Sequence, residues 1–272
     1  MKLGISNIAW PPELQPQAAD LLQSLGVRGI EIAPTAVWPD PLDVAAREVT
    51  SYRRFWNDRG IEIVALQALL YGRPDLTLFG SDHVRAKTEA YLSGMIRVCA
   101  QLGGRVLVFG SPKNRKRGDL SDVEARGIAA AMFATLGDRA TAAGVAFCIE
   151  ANPTAYECDF ITTSEQAVSL VREVGNSGFG VHLDAGAMTL SEERIETALS
   201  TALPWCRHFH VSEPQLRPIG TGGVDHQLFS ATLRRLEYAG WISIEMRVQR
   251  RESCLQDIAD AIACTRREYC LP

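Results

Sequence analysis

The chain has 272 residues, 46% of them apolar, enough to bury a large core in one big α/β domain or two ordinary ones. A formal net charge of -4 offers no basic face for nucleic acid, and no run approaches the roughly 18 continuous apolar residues of a membrane helix. The opening MKLGISNIAW carries neither a long apolar region nor a cleavage pattern, so a cytoplasmic location is expected. The seven cysteines are odd in number, scattered and free of any C-x-x-C pair. They read as reduced thiols filling the core rather than as a disulfide framework or a structural zinc site.

In chain order, residues 3–9 form a β-like run, a turn follows at Pro11-Pro12, and residues 15–25 read as a helix closed by Gly26. The cycle repeats. Residues 29–33 (GIEIA) are strand-like and 43–59 helical up to Gly60; residues 62–69 are the next strand and 81–102 the next helix. Gly103-Gly104 ends that helix before a β-like run at 105–109 (RVLVF), and residues 121–143 are helical with Gly144 as the stop. The stretch 146–153 (AFCIEANP) is an apolar strand that runs into a carboxylate. Helices at 163–174, 191–202 and 226–239 precede the strands FGVHLD (179–184), RHFHV (207–211) and WISIE (241–245), and residues 252–268 form the last helix. Eight strand-then-helix units in about 250 residues predict an α/β fold, a single-domain (β/α)8 or TIM barrel.

The last four strands share a feature: each carries an apolar run to a metal-competent side chain, giving Glu150, Asp184, His210 and Glu245. An ionised Glu buried beside an apolar run is costly unless a partner such as a cation compensates it. In a (β/α)8 barrel the C-terminal strand ends meet at one rim, and alternate side chains point inward. The four are therefore expected to converge. Singly, each is more readily a salt-bridged barrel residue, but four on consecutive strands favour a site for one divalent ion. Three carboxylates and an imidazole suit manganese, magnesium or cobalt, with zinc admissible.

On IEAN (149–152), HLDAGAM (182–188), HFHVSEPQLRPIGTGGVD (208–225) and ISIEM (242–246), the chain resembles the xylose-isomerase-like (β/α)8 barrel family, in its sugar isomerase and epimerase branch typified by ketose 3-epimerases. The resemblance spans essentially the whole chain. It implies that Glu150, Asp184, His210 and Glu245 bind one divalent metal, that Glu150 and Glu245 exchange protons with the substrate, and that Arg217 contacts it. The implied chemistry is isomerisation or epimerisation of a sugar, sugar phosphate or sugar-like hydroxy-carbonyl compound through an enediolate, with a small-molecule carbohydrate as partner; barrels of the family often dimerise, so a homodimer is a possible assembly, which the sequence itself does not fix. A dehydratase of the inosose type on the same barrel, or a non-catalytic binding barrel, are the alternatives. An endonuclease-IV-like nuclease is disfavoured by only five histidines and the acidic balance. The chain departs from the epimerases at Ala187, where they carry a histidine. It also has no clean counterpart of their substrate-holding glutamate in ANPTAYECDF after Glu150.

Further residues are expected at the rim. The loop SPKNRKRG (111–118) follows the fourth strand, so Arg115 and Arg117 are candidates for a substrate anion, against a plain solvated loop. Glu31 and Gln67 end the second and third strands and are candidate substrate contacts, as is His226 beyond the glycines at 220, 222 and 223. His182 and His208 lie two residues before ligands and face the same way one layer deeper, as partners behind them or as core histidines. Trp10 and Trp38 are candidates for stacking on a sugar face.

Overall fold

The computed structural model describes Met1 to Leu271. Eight parallel strands close in sequence order into a barrel: β1 (Lys2–Ser6), β2 (Gly29–Ile32), β3 (Glu62–Leu66), β4 (Val106–Phe109), β5 (Ala146–Glu150), β6 (Phe179–Asp184), β7 (Cys206–Ser212) and β8 (Trp241–Glu245). Around it lie the helices α1 (Gln15–Ser24), α2 (Ala46–Asn57), α3 (Asp82–Leu102), α4 (Asp122–Ala142), α5 (Ser164–Val174), α6 (Ala185–Leu190), α7 (Ile195–Ala202), α8 (His226–Arg235) and α9 (Cys254–Tyr269). The (β/α)8 expectation holds.

Strand alternation sorts the side chains into two layers. Phe109, Phe147 and Phe179 point outward against Phe133 of α4, the last pair stacked with ring centroids 4.7 Å apart. Inside the barrel a smaller apolar cluster of Val64, Val106, Val108 and Cys148 fills the space beneath the rim. Cys148 and Glu150 share a face of β5, so the strand that plugs the barrel also aims Glu150 into its mouth. The register pairs Glu150 with His182, Asp184 with His210, and Ser212 with Glu245, a stagger that follows from strand tilt.

Three local differences from the sequence reading have physical causes. The first strand stops at Ser6 because residues 7–9 turn into a 3-10 helix, where Asn7 Oδ1 accepts the Ala33 N–H at 2.7 Å. The third strand stops at Leu66, before Ala68 takes a positive φ of 52°. The helix expected at 191–202 begins only at Ile195, after Glu192 takes a φ of 52°, and an additional helix, α6, precedes it, capped by Asp184 directly at the strand end. No helix among the described residues is long and apolar enough to cross a membrane.

Candidate active site at the carboxyl ends of the strands

Glu150, Asp184, His210 and Glu245 meet at the rim, one from each of four consecutive strands. His210 is the hub. Its Nδ1 lies 3.3 Å from Glu245 Oε2 and 3.6 Å from Asp184 Oδ2, while its Nε2 sits 2.8 Å from Glu31 Oε2. The short contact to the Glu31 carboxylate assigns a proton to Nε2 and turns Nδ1 toward the other carboxylates. Asp184 is held similarly. Its Oδ1 accepts the Ala187 N–H at 2.6 Å as the cap of α6, which directs Oδ2 to the cluster. His210 Nδ1 and Asp184 Oδ2 are buried with no hydrogen-bond partner among the described residues.

A buried acceptor and a buried ring nitrogen left without partners beside two further carboxylates fit a cation. A divalent ion of the hard or borderline class suits this donor set. Burial, and then the Asp184 and Glu245 carboxylates, push Glu150 up to about 8. Burial also opposes charge on His210, but Glu31 and Glu245 hold it well above the usual imidazole value. A proton and a divalent cation thus compete for Nδ1. His182 belongs to the same cluster, its Nε2 lying 3.7 Å from Glu150 Oε1, with burial and then its histidine neighbours holding it well below the usual value.

Access distinguishes the four. The side chains of Glu150 and Glu245 keep 12% and 13% exposure, against 6% for Asp184 and 1% for His210. Glu150, Asp184 and Glu245 line a cavity of about 760 Å³ whose walls include Gln67, Tyr71, Lys113, Asn152 and Tyr156. Gly110, directly after β4, makes room for Glu150, since a Cβ there would overlap Glu150 Oε2.

The other expected contacts are distributed differently. Gln67 lines the cavity and donates to Ser6 Oγ. Glu31 does not line it. Fully buried one layer down, it faces His210 Nε2 and lies 3.6 Å from His208 Nε2, so strand register makes it a support for His210. Burial pushes Glu31 up, but His210 and His208 outweigh it and hold the carboxyl well below the usual range. Arg115 is not in a solvated loop: it is 0% exposed, and all three guanidinium nitrogens are without a hydrogen-bond partner among the described residues. Arg117 pairs with Asp122 and its backbone N–H donates to Asp159, away from the cavity wall.

Lys113, from the same loop, does line the cavity, whereas Lys116 is paired with Glu157 at 2.9 Å. Arg217 is exposed on the loop after β7, outside the cavity wall; its neighbours Gln215 and Leu216 line it instead. His226 is buried under that loop, its Nε2 at 3.2 Å from Glu213 Oε1 and its Nδ1 at 3.1 Å from Tyr269 Oη. Glu213 Oε1 also accepts the Gly220 N–H at 2.7 Å, so this trio clamps the glycine loop. Trp10 and Trp38 pack into an aromatic cluster with Trp56 and Tyr52. Sequence reasoning missed Asn152, Tyr156 and Tyr71 on the cavity wall. Only the Asn of the IEAN motif carried a signal, and its Oδ1 is a buried acceptor without a partner among the described residues.

Residues 19–267 match the xylose isomerase-like TIM barrel family. The chain belongs to that family. Within it, the chain is 25% identical over 259 residues to the D-psicose 3-epimerase of Agrobacterium fabrum, covering 90% of this chain and 84% of the relative. Its fold is similar to that of a D-psicose 3-epimerase from Clostridium cellulolyticum H10 solved with D-tagatose, at a TM-score of 0.82 and 17% identity over 99% of both chains. It is also similar to the IOLI protein solved with a zinc atom, at a TM-score of 0.78 and 19% identity, covering 98% of this chain and 99% of that one.

Proposed function

We propose that this chain is a divalent-metal-dependent isomerase or epimerase acting on a sugar or sugar-like hydroxy-carbonyl compound, with Glu150 and Glu245 as its proton-exchanging pair. The observation that carries the reading is the arrangement at His210. Glu31 occupies Nε2, and Nδ1 and Asp184 Oδ2 are left partnerless among the described residues beside Glu150 and Glu245. Glu150, Asp184, His210 and Glu245 would hold the ion. When bound there, it supplies positive charge to a carbonyl oxygen and a neighbouring hydroxyl, which acidifies the adjacent C–H.

The chain's own groups divide the remaining work. Asp184 and His210, locked from behind by the α6 backbone and by Glu31, orient and hold. Glu150 and Glu245, on the first and last of the four strands and open to the cavity, flank the site and exchange protons with substrate carbon. A carbon between two carboxylates that gives its proton to one and regains one from the other is inverted. A single carboxylate moving a proton between adjacent carbons isomerises. The relatives named as 3-epimerases of ketoses support a ketose-like substrate.

The test is deuterium incorporation at carbon, followed by NMR in heavy water with manganese- or magnesium-loaded protein and a panel of ketoses. Exchange that requires the metal is expected, and Glu150→Gln and Glu245→Gln at saturating metal should each lower it by about 10²–10⁴-fold. Undiminished exchange in either variant removes that glutamate from the reaction.

A further inference from the structure

The cavity above the cluster has a neighbour across Tyr71. Residues 71–73 are a shared wall whose other side lines a second cavity of about 530 Å³, bounded also by Thr35, Pro39, Asp40 and Tyr91. The first cavity, about 760 Å³, already lies within the roughly 300–1,000 Å³ that holds drug-sized ligands, and a single monosaccharide is smaller than those.

The wall is built. Buried Leu69 and Leu70 anchor it, and the Tyr71 N–H donates to Ala68 O at 2.9 Å. Gly72 allows the turn with a φ of +77°. Arg73 is held in a two-bond fork with Asp75, at 2.9 and 2.8 Å, and lies over the Tyr91 ring at 4.6 Å. Asn114 Nδ2 donates to Arg73 O at 2.8 Å and to Leu76 O at 2.7 Å, joining the loops after β3 and β4. On this fixed turn Tyr71 is 68% exposed, a large aromatic face at the junction of two cavities.

Such a ring, apolar on its face and polar at its tip, suits the C–H side of a sugar ring. The second cavity offers Asp40 and the Thr35 hydroxyl, which is buried without a partner among the described residues. The Asp40 carboxylate accepts hydroxyl protons, and the charge of Arg73 in the same wall is met by Asp75. We infer that the substrate is a glycoside: its hydroxy-carbonyl unit sits over Glu150 and Glu245, and a second sugar ring crosses Tyr71 into the cavity beside Asp40. The inference rests on the reaction proposed above.

The test compares D-fructose with lactulose and isomaltulose, disaccharides that end in fructose, by the rate of deuterium exchange with metal-loaded protein. Exchange efficiency on a disaccharide should exceed that on D-fructose by about tenfold. The ratio should fall to near unity in Tyr71→Ala and in Asp40→Ala. D-fructose serving as well as the disaccharides, or a ratio unchanged in both variants, would overturn the inference. If none of the three sugars exchanges, the proposed reaction fails, and saturation-transfer NMR on the magnesium-loaded protein decides the subsite separately. Saturation reaching the second ring in the wild type and lost in both variants upholds it; no such transfer sinks it.

Discussion

The two halves of the barrel do different work. Strands β5 to β8 end in the four side chains proposed to hold the ion, one per strand, in an order fixed by the sheet. Strands β1 to β4 supply none of the four, yet they set the conditions under which those can act. Glu31 on β2 orients His210, Gly110 after β4 leaves space for Glu150, and the loops after β3 and β4 form the far wall of the cavity. Chemistry concentrated in one half depends on geometry supplied by the other.

Substitutions in the supporting half put this dependence at risk. Gly110→Ala forces the Glu150 carboxylate to move while leaving the barrel intact. Since misplacing a reacting group by about 1 Å costs about 10²-fold, deuterium exchange should drop by about that factor, with an unchanged circular dichroism spectrum. A variant that exchanges normally would detach the two halves. Glu31→Gln keeps the size of the side chain but removes the charge that assigns the His210 proton. Chelator competition should show metal affinity weakened about 10–100-fold. A change confined to KM for substrate at saturating metal would instead return Glu31 to the substrate-contact role expected from sequence.

The loop after β7 sharpens the comparison from the other side. Glu213→Ala removes the acceptor shared by Gly220 and His226 and leaves buried donors unpaired, at a cost of about 1–3 kcal/mol in urea-induced unfolding. Arg117→Ala breaks only a half-exposed ion pair and should change stability by no more than about 0.5 kcal/mol, with exchange rates unaffected. A marked loss of substrate binding in that variant would restore the rim role expected of the basic loop.

How much of this was legible in the sequence follows the same division. A strand-end residue has its direction set by alternation, so eight units and an apolar run were enough to bring Glu150, Asp184, His210 and Glu245 together. Glu31 was placed on the right strand at the wrong depth, because the stagger between strands is not written in any one of them. Loop residues lack even that constraint. Arg115 and Lys113 are two positions apart, yet a short 3-10 turn starting at Pro112 buries the first and aims the second at the cavity. His226 read as a substrate contact from its place after a glycine loop, and its partners Glu213 and Tyr269 come from segments that only the closed barrel brings within reach.

Among the described residues, two groups of side chains are close enough to hold an ion: Glu150, His182, Asp184 and His210 at the rim, and Glu31, His208 and His210 beneath it. Anomalous diffraction at the manganese edge from crystals soaked in manganese separates them. One peak bounded by Glu150, Asp184, Glu245 and the Nδ1 side of His210 is the predicted result. A peak on the Nε2 side, among Glu31, His208 and His210, or no peak at saturating manganese, would contradict the account.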